Sequence, residues 1–125
     1  MTIQDILNKP ETIKIDGNEY KLEYDHKALG MVELQTNKSI YKIYDLIFKD
    51  NNLMFLDSVE VVCGGLLKHH TEKEITEART YMLQNPSFWN SNNDAILTAF
   101  AKVMMPPEIF NAIKPQEATN EAEKK

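Results

Sequence analysis

Residues 12–24 read Thr12-Ile13-Lys14-Ile15-Asp16-Gly17-Asn18-Glu19-Tyr20-Lys21-Leu22-Glu23-Tyr24. Apolar and polar residues alternate on both sides of Asp16-Gly17-Asn18, so Ile13, Ile15, Tyr20, Leu22 and Tyr24 fall on one face of two strands. Asp-Gly between alternating runs is a hairpin signal, because glycine accepts the positive φ that a two-residue turn requires. A lone two-stranded hairpin is marginal in water, so its apolar face must rest on something else. No second alternating run follows, and the cover must therefore come from helices. The expected fold is α+β and mostly α: an N-terminal β-hairpin followed by four to five short helices.

The helices can be read outward from the hairpin. Asp25 caps one that runs through about Thr36, with Ala28, Met31, Val32 and Gln35 along a side. Gly30 lies inside it and costs about 1 kcal/mol relative to Ala unless close packing needs a small residue there. Asn37-Lys38 makes a turn, and Ser39 caps a second helix in which Ile40, Ile43, Tyr44, Ile47 and Phe48 recur at helical spacing. Asp50-Asn51-Asn52 breaks it. A third helix starts near Asp57 or a turn earlier, with Val59, Val62, Cys63, Leu66 and Leu67 as its stripe. Gly64-Gly65 within it marks a close helix approach or a kink. His69-His70 closes this helix, and Thr71 with Glu74 forms a capping box for the fourth, which buries Ile75, Ala78 and Met82 and ends near Gln84. Asn85-Pro86-Ser87 separates it from a last long helix, expected from about Asn93 to Met105. The wide apolar arc of that helix (Ile96, Leu97, Phe100, Ala101, Val103, Met104) makes it the expected central element. Pro106-Pro107 stops it.

The chain ends are read by composition. Residues 1–10 form an N-terminal arm in which Thr2 caps a single turn ended by Pro10. Residues 11–114 form one domain, closed by an amphipathic turn carrying Ile109, Phe110 and Ile113. Residues 115–125 hold no large apolar side chain and are expected to be a disordered tail.

The 125 residues carry 42% hydrophobic and 26% charged side chains, the balance of a soluble globular domain, and a net charge of −5. An acidic surplus argues against general nucleic-acid binding, which needs positive charge against phosphate. No apolar run approaches the roughly 18 residues of a membrane span, and Met1 to Pro10 lacks the basic and apolar regions of a secretory signal. One cysteine, Cys63, cannot form an internal disulfide and suits a reducing compartment.

Catalytic and metal chemistry find no foothold. Adjacent His69 and His70 point about 100° apart on a helix and cannot share one metal, and at a helix C-terminus their charge suits the dipole. Glu72, Glu74 and Glu77 sit in the first turns of a capped helix, where negative charge is favourable for the same reason. Cys63 lies on an apolar stripe, unlike an activated thiol. Gly64-Gly65 has neither a preceding strand nor a following Lys-Ser/Thr, so it is no phosphate loop. A non-enzyme without cofactor or metal is expected, its function lying in surfaces. Two sets of residues could form one: Phe88-Trp89, which either anchor their polar loop on the core or bind a partner, and Met104, Met105, Ile109 and Phe110, which suit either core packing or an adaptable recognition surface.

The order of segments resembles the tail assembly chaperones of long-tailed bacteriophages with non-contractile (siphovirus-type) tails. The resemblance spans roughly residues 10–105. It rests on Ile13-x-Ile15-Asp16-Gly17-x-x-Tyr20-x-Leu22, then Ala28-Leu29, Val32-Glu33, Thr36 and Lys38-Ser39, then the small-residue helix around Gly64-Gly65 and the Thr71-x-x-Glu74 cap. It implies a non-enzymatic protein of the host bacterial cytoplasm, absent from the mature virion, that binds the tape measure protein and helps recruit tail tube protein during tail morphogenesis. It also implies self-association as a homo-oligomer, or a groove for a helical partner, with no role for nucleic acid or membrane. A frameshifted longer form is common in the family, and Lys124-Lys125 fits the A-rich codons such a site needs. A structural or adaptor protein of the tail or head–tail connector is the alternative.

Overall fold

The computed structural model describes residues 9–105. The expected N-terminal turn, the amphipathic turn at residues 108–114 and the tail at 115–125 lie outside that range, apart from Lys9 and Pro10. The fold is a small α+β one: a two-stranded antiparallel hairpin followed by five helices.

Strands β1 (Glu11–Ile15) and β2 (Asn18–Leu22) pair in the register Glu11↔Leu22, Ile13↔Tyr20 and Ile15↔Asn18. Asp16 (φ 55°) and Gly17 (φ 76°) form the connecting turn. Two successive positive φ values give the twist that matches the strands, and only Gly, Asn or Asp take them at low cost. Ile13, Ile15, Tyr20 and Leu22 are buried on one face, and Tyr24 continues their alternation beyond the ladder. Full burial of side chains this size contributes about 1.5–3 kcal/mol each, which is what holds a hairpin that could not stand alone.

The helices are α1 (His26–Thr36), α2 (Ile40–Phe48), α3 (Phe55–Leu66), α4 (Glu72–Gln84) and α5 (Phe88–Met104). Asp25 accepts from the Ala28 N–H at 2.8 Å, Ser39 from Lys42, and Thr71 and Glu74 form the reciprocal capping box. The buried line of α1 is Ala28, Val32 and Thr36; Met31 is half-buried and Gln35 is exposed. Thr36 takes the place expected for Gln35 because its hydroxyl donates back to the Val32 carbonyl at 2.7 Å and needs no outside partner.

The central helix is α3, not the expected α5. Ser58, Val59, Val61, Val62, Cys63, Gly64, Gly65 and Leu66 are all buried, more than one stripe can hold. The hairpin, α1 and α4 pack on α3, while α5 crosses the hairpin at β1. Glycines make the close packing possible. A Cβ at Gly64 would meet Val32 Cγ2 at 2.6 Å and the Ala28 carbonyl oxygen at 3.2 Å. One at Gly65 would meet Leu22 Cδ1 at 2.5 Å and Tyr24 Cζ at 2.8 Å. Close approach, one of the two expected meanings of this pair, is therefore observed on both sides of α3. The bare backbone also lets the Gly65 carbonyl accept from the Glu23 N–H at 2.9 Å, and Tyr24 donates to the Val61 carbonyl at 2.6 Å.

Helix α5 is broken at the non-helical Asn92 (φ −121°, ψ 15°): the long helix expected from about Asn93 follows the break, and a short helical segment beginning at Phe88, not expected, precedes it. The Asn92 amide accepts from the Lys14 N–H and donates to the Lys14 carbonyl, both at 2.9 Å, and also donates to the Phe88 carbonyl at 2.9 Å. It thus occupies the outward-facing groups of β1 as another strand would. The kink lies where this amide reaches the hairpin.

Candidate functional site

A cavity of about 330 Å³ lies between the end of α2, the α2–α3 loop, α3 and the first half of α5. Its apolar lining comes from Leu46 and Ile47 of α2, Leu53 of the loop, and Trp89 and Leu97 of α5. Asn51, Ser58, Asn90 and Asn93 supply its polar groups, and no charged residue lines it. The local geometry follows from the sequence. Asn51 takes φ 48°, which Asn tolerates, and the Asn52 N–H donates to the Leu46 carbonyl at 2.8 Å, turning the chain away from α2. Trp89 is half-buried, and its indole N–H donates to Asn93 Oδ1 at 2.8 Å, fixing the ring one turn from the kink. After Leu53 the chain continues Met54-Phe55-Leu56, and these three are 66%, 38% and 64% exposed.

The residues expected to bind a partner do not form one patch. Phe88 is only 5% exposed and packs with Phe55 and Trp89, so it belongs to the core rather than to a partner surface. Trp89 lines the cavity. Met104 and Met105 are half-buried at the other end of α5, roughly 20 Å away at 1.5 Å per residue. Ile109 and Phe110 lie outside the described residues. The reading of the sequence missed Leu46, Leu53, Asn90 and Asn93 as a site, and also the exposed Met54 and Leu56. The available signal was the run Leu53-Met54-Phe55-Leu56, four large apolar residues at a helix start, where one helix face can bury only about half of them.

The chemistry-bearing side chains are engaged in holding the fold. His69 Nε2 lies 2.8 Å from Glu23 Oε1, and Lys68 Nζ lies 2.9 Å from Glu23 Oε2. Burial pushes the Glu23 carboxyl up, but these two partners outweigh it and hold the group below its ordinary value. His70 Nε2 accepts from the Lys21 N–H at 2.8 Å, so its Nδ1, 3.1 Å from Glu74, carries the proton. The Thr71 N–H and His70 hold the Glu74 carboxyl below its ordinary value. The two histidines thus clip the outer edge and exit of β2 to the α3–α4 junction. His26 is exposed beside the Asp25 cap. Arg79 grips Glu60 through both of its carboxylate oxygens. Burial, with a smaller push from Glu60 and against a pull from Arg79, pushes the Cys63 thiol up to about 12, which leaves it protonated and unreactive near neutrality.

A smaller recess of about 190 Å³ over the hairpin is bordered by Glu23, Tyr24 and Lys102, and Lys102 is tied to the Lys9 carbonyl and to Glu11. Among the described residues, no three His, Cys, Asp or Glu side chains gather where they could hold a metal ion, and no helix is long and apolar enough to cross a membrane.

No family model, curated protein or solved structure matches the chain. The physical character of the cavity must therefore carry the functional reading. It is a groove of mixed character, with apolar side chains beside uncharged polar ones, and exposed large apolar side chains stand next to it in the chain. Such a surface can bind a protein segment by burying anchor side chains.

Proposed function

We propose that this protein is a tail assembly chaperone of the long-tailed, non-contractile bacteriophage type, a non-enzymatic protein that keeps the tape measure protein soluble and brings tail tube protein to it. The observation that carries this reading is the exposed Met54 and Leu56 beside a groove to which Leu46, Ile47, Leu53, Trp89 and Leu97 contribute apolar side chains. A chain that holds a long helical partner in solution needs such a surface, and helix-in-groove capture uses apolar anchors at helical spacing. The motif order gives further support. The residues that carry the family resemblance form the hairpin, its turn, the α1 face and the glycine contact of α3, while the groove lies mostly outside them and is free to be tuned to one partner.

Co-expression with the tape measure protein of the same phage tests the reading. The expected result is a soluble complex that co-elutes on size exclusion, with the partner insoluble when expressed alone. Failure of the complex to form refutes it. Detection of this chain in purified virions by mass spectrometry would favour the structural or adaptor alternative instead.

A further inference from the structure

We infer that His70 is a pH-operated clasp on the hairpin: uncharged, it closes the edge of β2 at Lys21, and protonated, it releases that edge while staying with Glu74. This goes beyond the chaperone reading and does not rest on it.

The Lys21 N–H donates to His70 Nε2 at 2.8 Å, so the backbone of Lys21 faces away from β1, while Tyr20 and Leu22 face their partners Ile13 and Glu11. A backbone amide cannot give up its proton. Nε2 must therefore present a lone pair, and the proton of the ring sits on Nδ1, 3.1 Å from Glu74 Oε1. A second proton turns both ring nitrogens into donors. Nε2 then sets an N–H against the Lys21 N–H, and that bond is lost. The Nδ1 side meets no such conflict, because Glu74 accepts there in either state and gains the attraction of a full charge.

His69 answers the same change in the opposite sense. Its Nε2 lies 2.8 Å from Glu23 Oε1, where a ring nitrogen can only donate. A second proton on its other nitrogen leaves that bond in place and strengthens it. Lys68 holds the other oxygen of Glu23 at 2.9 Å, and the Glu23 N–H donates to the Gly65 carbonyl at 2.9 Å. Acid thus frees Lys21 while the exit of β2 stays fastened to the end of α3.

The other groups around His70 do not reverse this. The Tyr20 ring lies 5.0 Å away, and its hydroxyl is pushed up by burial and by the charges of Glu77, Glu74 and Asp16, so it stays neutral. The Lys21 side chain is exposed. Against its burial, Glu23 is held below its ordinary value by His69 and Lys68, and Glu74 by the Thr71 N–H and His70. Both carboxylates therefore keep their charge between about pH 5 and 8, where imidazoles titrate. Release leaves an outward N–H of β2 unfilled, and an unfilled edge is what a further strand adds to.

Nuclear magnetic resonance on the full chain tests the inference without a variant. At about pH 8 the ring nitrogen shifts of His70 should show the Nδ1–H tautomer. As the pH falls to about 5, protection of the Lys21 amide against hydrogen exchange should drop about tenfold in step with the titration of His70. The Glu23 amide should keep its protection throughout. In His70→Ala, Lys21 should be poorly protected at both ends of the range, with no pH step.

An Nε2–H tautomer at pH about 8 overturns the inference. So does a His70 that takes up no proton above pH about 5, or Lys21 protection that holds constant while His70 titrates. A pH step that persists in His70→Ala overturns it as well. Loss of protection at Glu23 together with Lys21 does the same, since the whole junction would then come away from β2 rather than one clasp.

Discussion

Glycines 30 and 65 both interrupt helices, yet their surroundings assign them opposite effects. Gly30 is exposed on α1, and a Cβ there would meet nothing within 4 Å. Gly30→Ala should therefore stabilise the fold by about 0.5–1 kcal/mol, the ordinary gain of helix propensity and lost unfolded-state freedom. At Gly65 the new methyl would lie 2.5 Å from Leu22 Cδ1 and 2.8 Å from Tyr24 Cζ. Leu22 is fully buried, and the Tyr24 hydroxyl is tied to the Val61 carbonyl, so neither can swing aside. Overpacking of this kind costs about 1–3 kcal/mol, enough to cancel or exceed the propensity gain. Gly65→Ala should lower the urea midpoint while Gly30→Ala raises it. A rise in both would mean that α3 does not approach the hairpin as closely as the structure has it. Sequence alone could name the glycines in both helices. It could not say which had a neighbour, because that depends on contacts more than 40 positions apart in the chain, as between Leu22 and Gly65.

At the level of elements, the hairpin survives as two strands because its outer groups are taken up locally. The Asn92 amide fills the edge of β1 at Lys14, and His70 fills that of β2 at Lys21. An unfilled edge is a template for pairing with another chain. Asn92→Ala removes the partners of the Lys14 N–H and C=O together. It should cost about 1–2 kcal/mol at this partly solvated position and speed hydrogen exchange at the Lys14 amide selectively. Asn92→Asp should rescue little, since a carboxylate accepts from the N–H but cannot donate to the Lys14 or Phe88 carbonyl. Unchanged exchange at Lys14 in both variants would show that Asn92 does not guard the edge. The hairpin, its turn, the Asp25, Ser39 and Thr71 caps and the buried face of α4 were legible in the sequence, because each is set by residues within a few positions. The kinked start of α5 was not. Ser87 provides no side-chain cap, and what bends the helix is a bond to a strand 78 positions earlier. The centrality of α3 was also hidden, since a stripe of Val59, Val62, Cys63 and Leu66 looks the same whether or not Val61 and the glycines face a second neighbour.

For the molecule as a whole, the question is whether its exposed apolar run serves the fold or a partner. Single exposed apolar side chains are normal on any protein. Met54 and Leu56, however, adjoin Leu53 at a groove whose lining includes three further leucines and isoleucines and the lone tryptophan, so the run continues the apolar part of a recess. The sequence placed Trp89 among the candidates but could not assemble this site. Its walls come from α2, the α2–α3 loop, α3 and α5, which are far apart in the sequence and meet only in the folded chain. With relative exposures of 66% and 64%, Met54 and Leu56 contribute little to the native core. The double substitution Met54→Gln/Leu56→Gln should therefore change unfolding free energy by less than about 0.5 kcal/mol at each site. If the face serves a partner, the same variant should lose complex formation on co-expression, because anchors at a docking surface each carry about 1 kcal/mol or more of binding. Stability and binding thus separate. A variant that unfolds early would assign these side chains to the core, and one that folds and binds as before would move the interface elsewhere. Only a variant that folds normally and fails to bind fits a face kept apolar at the expense of solubility because something else covers it.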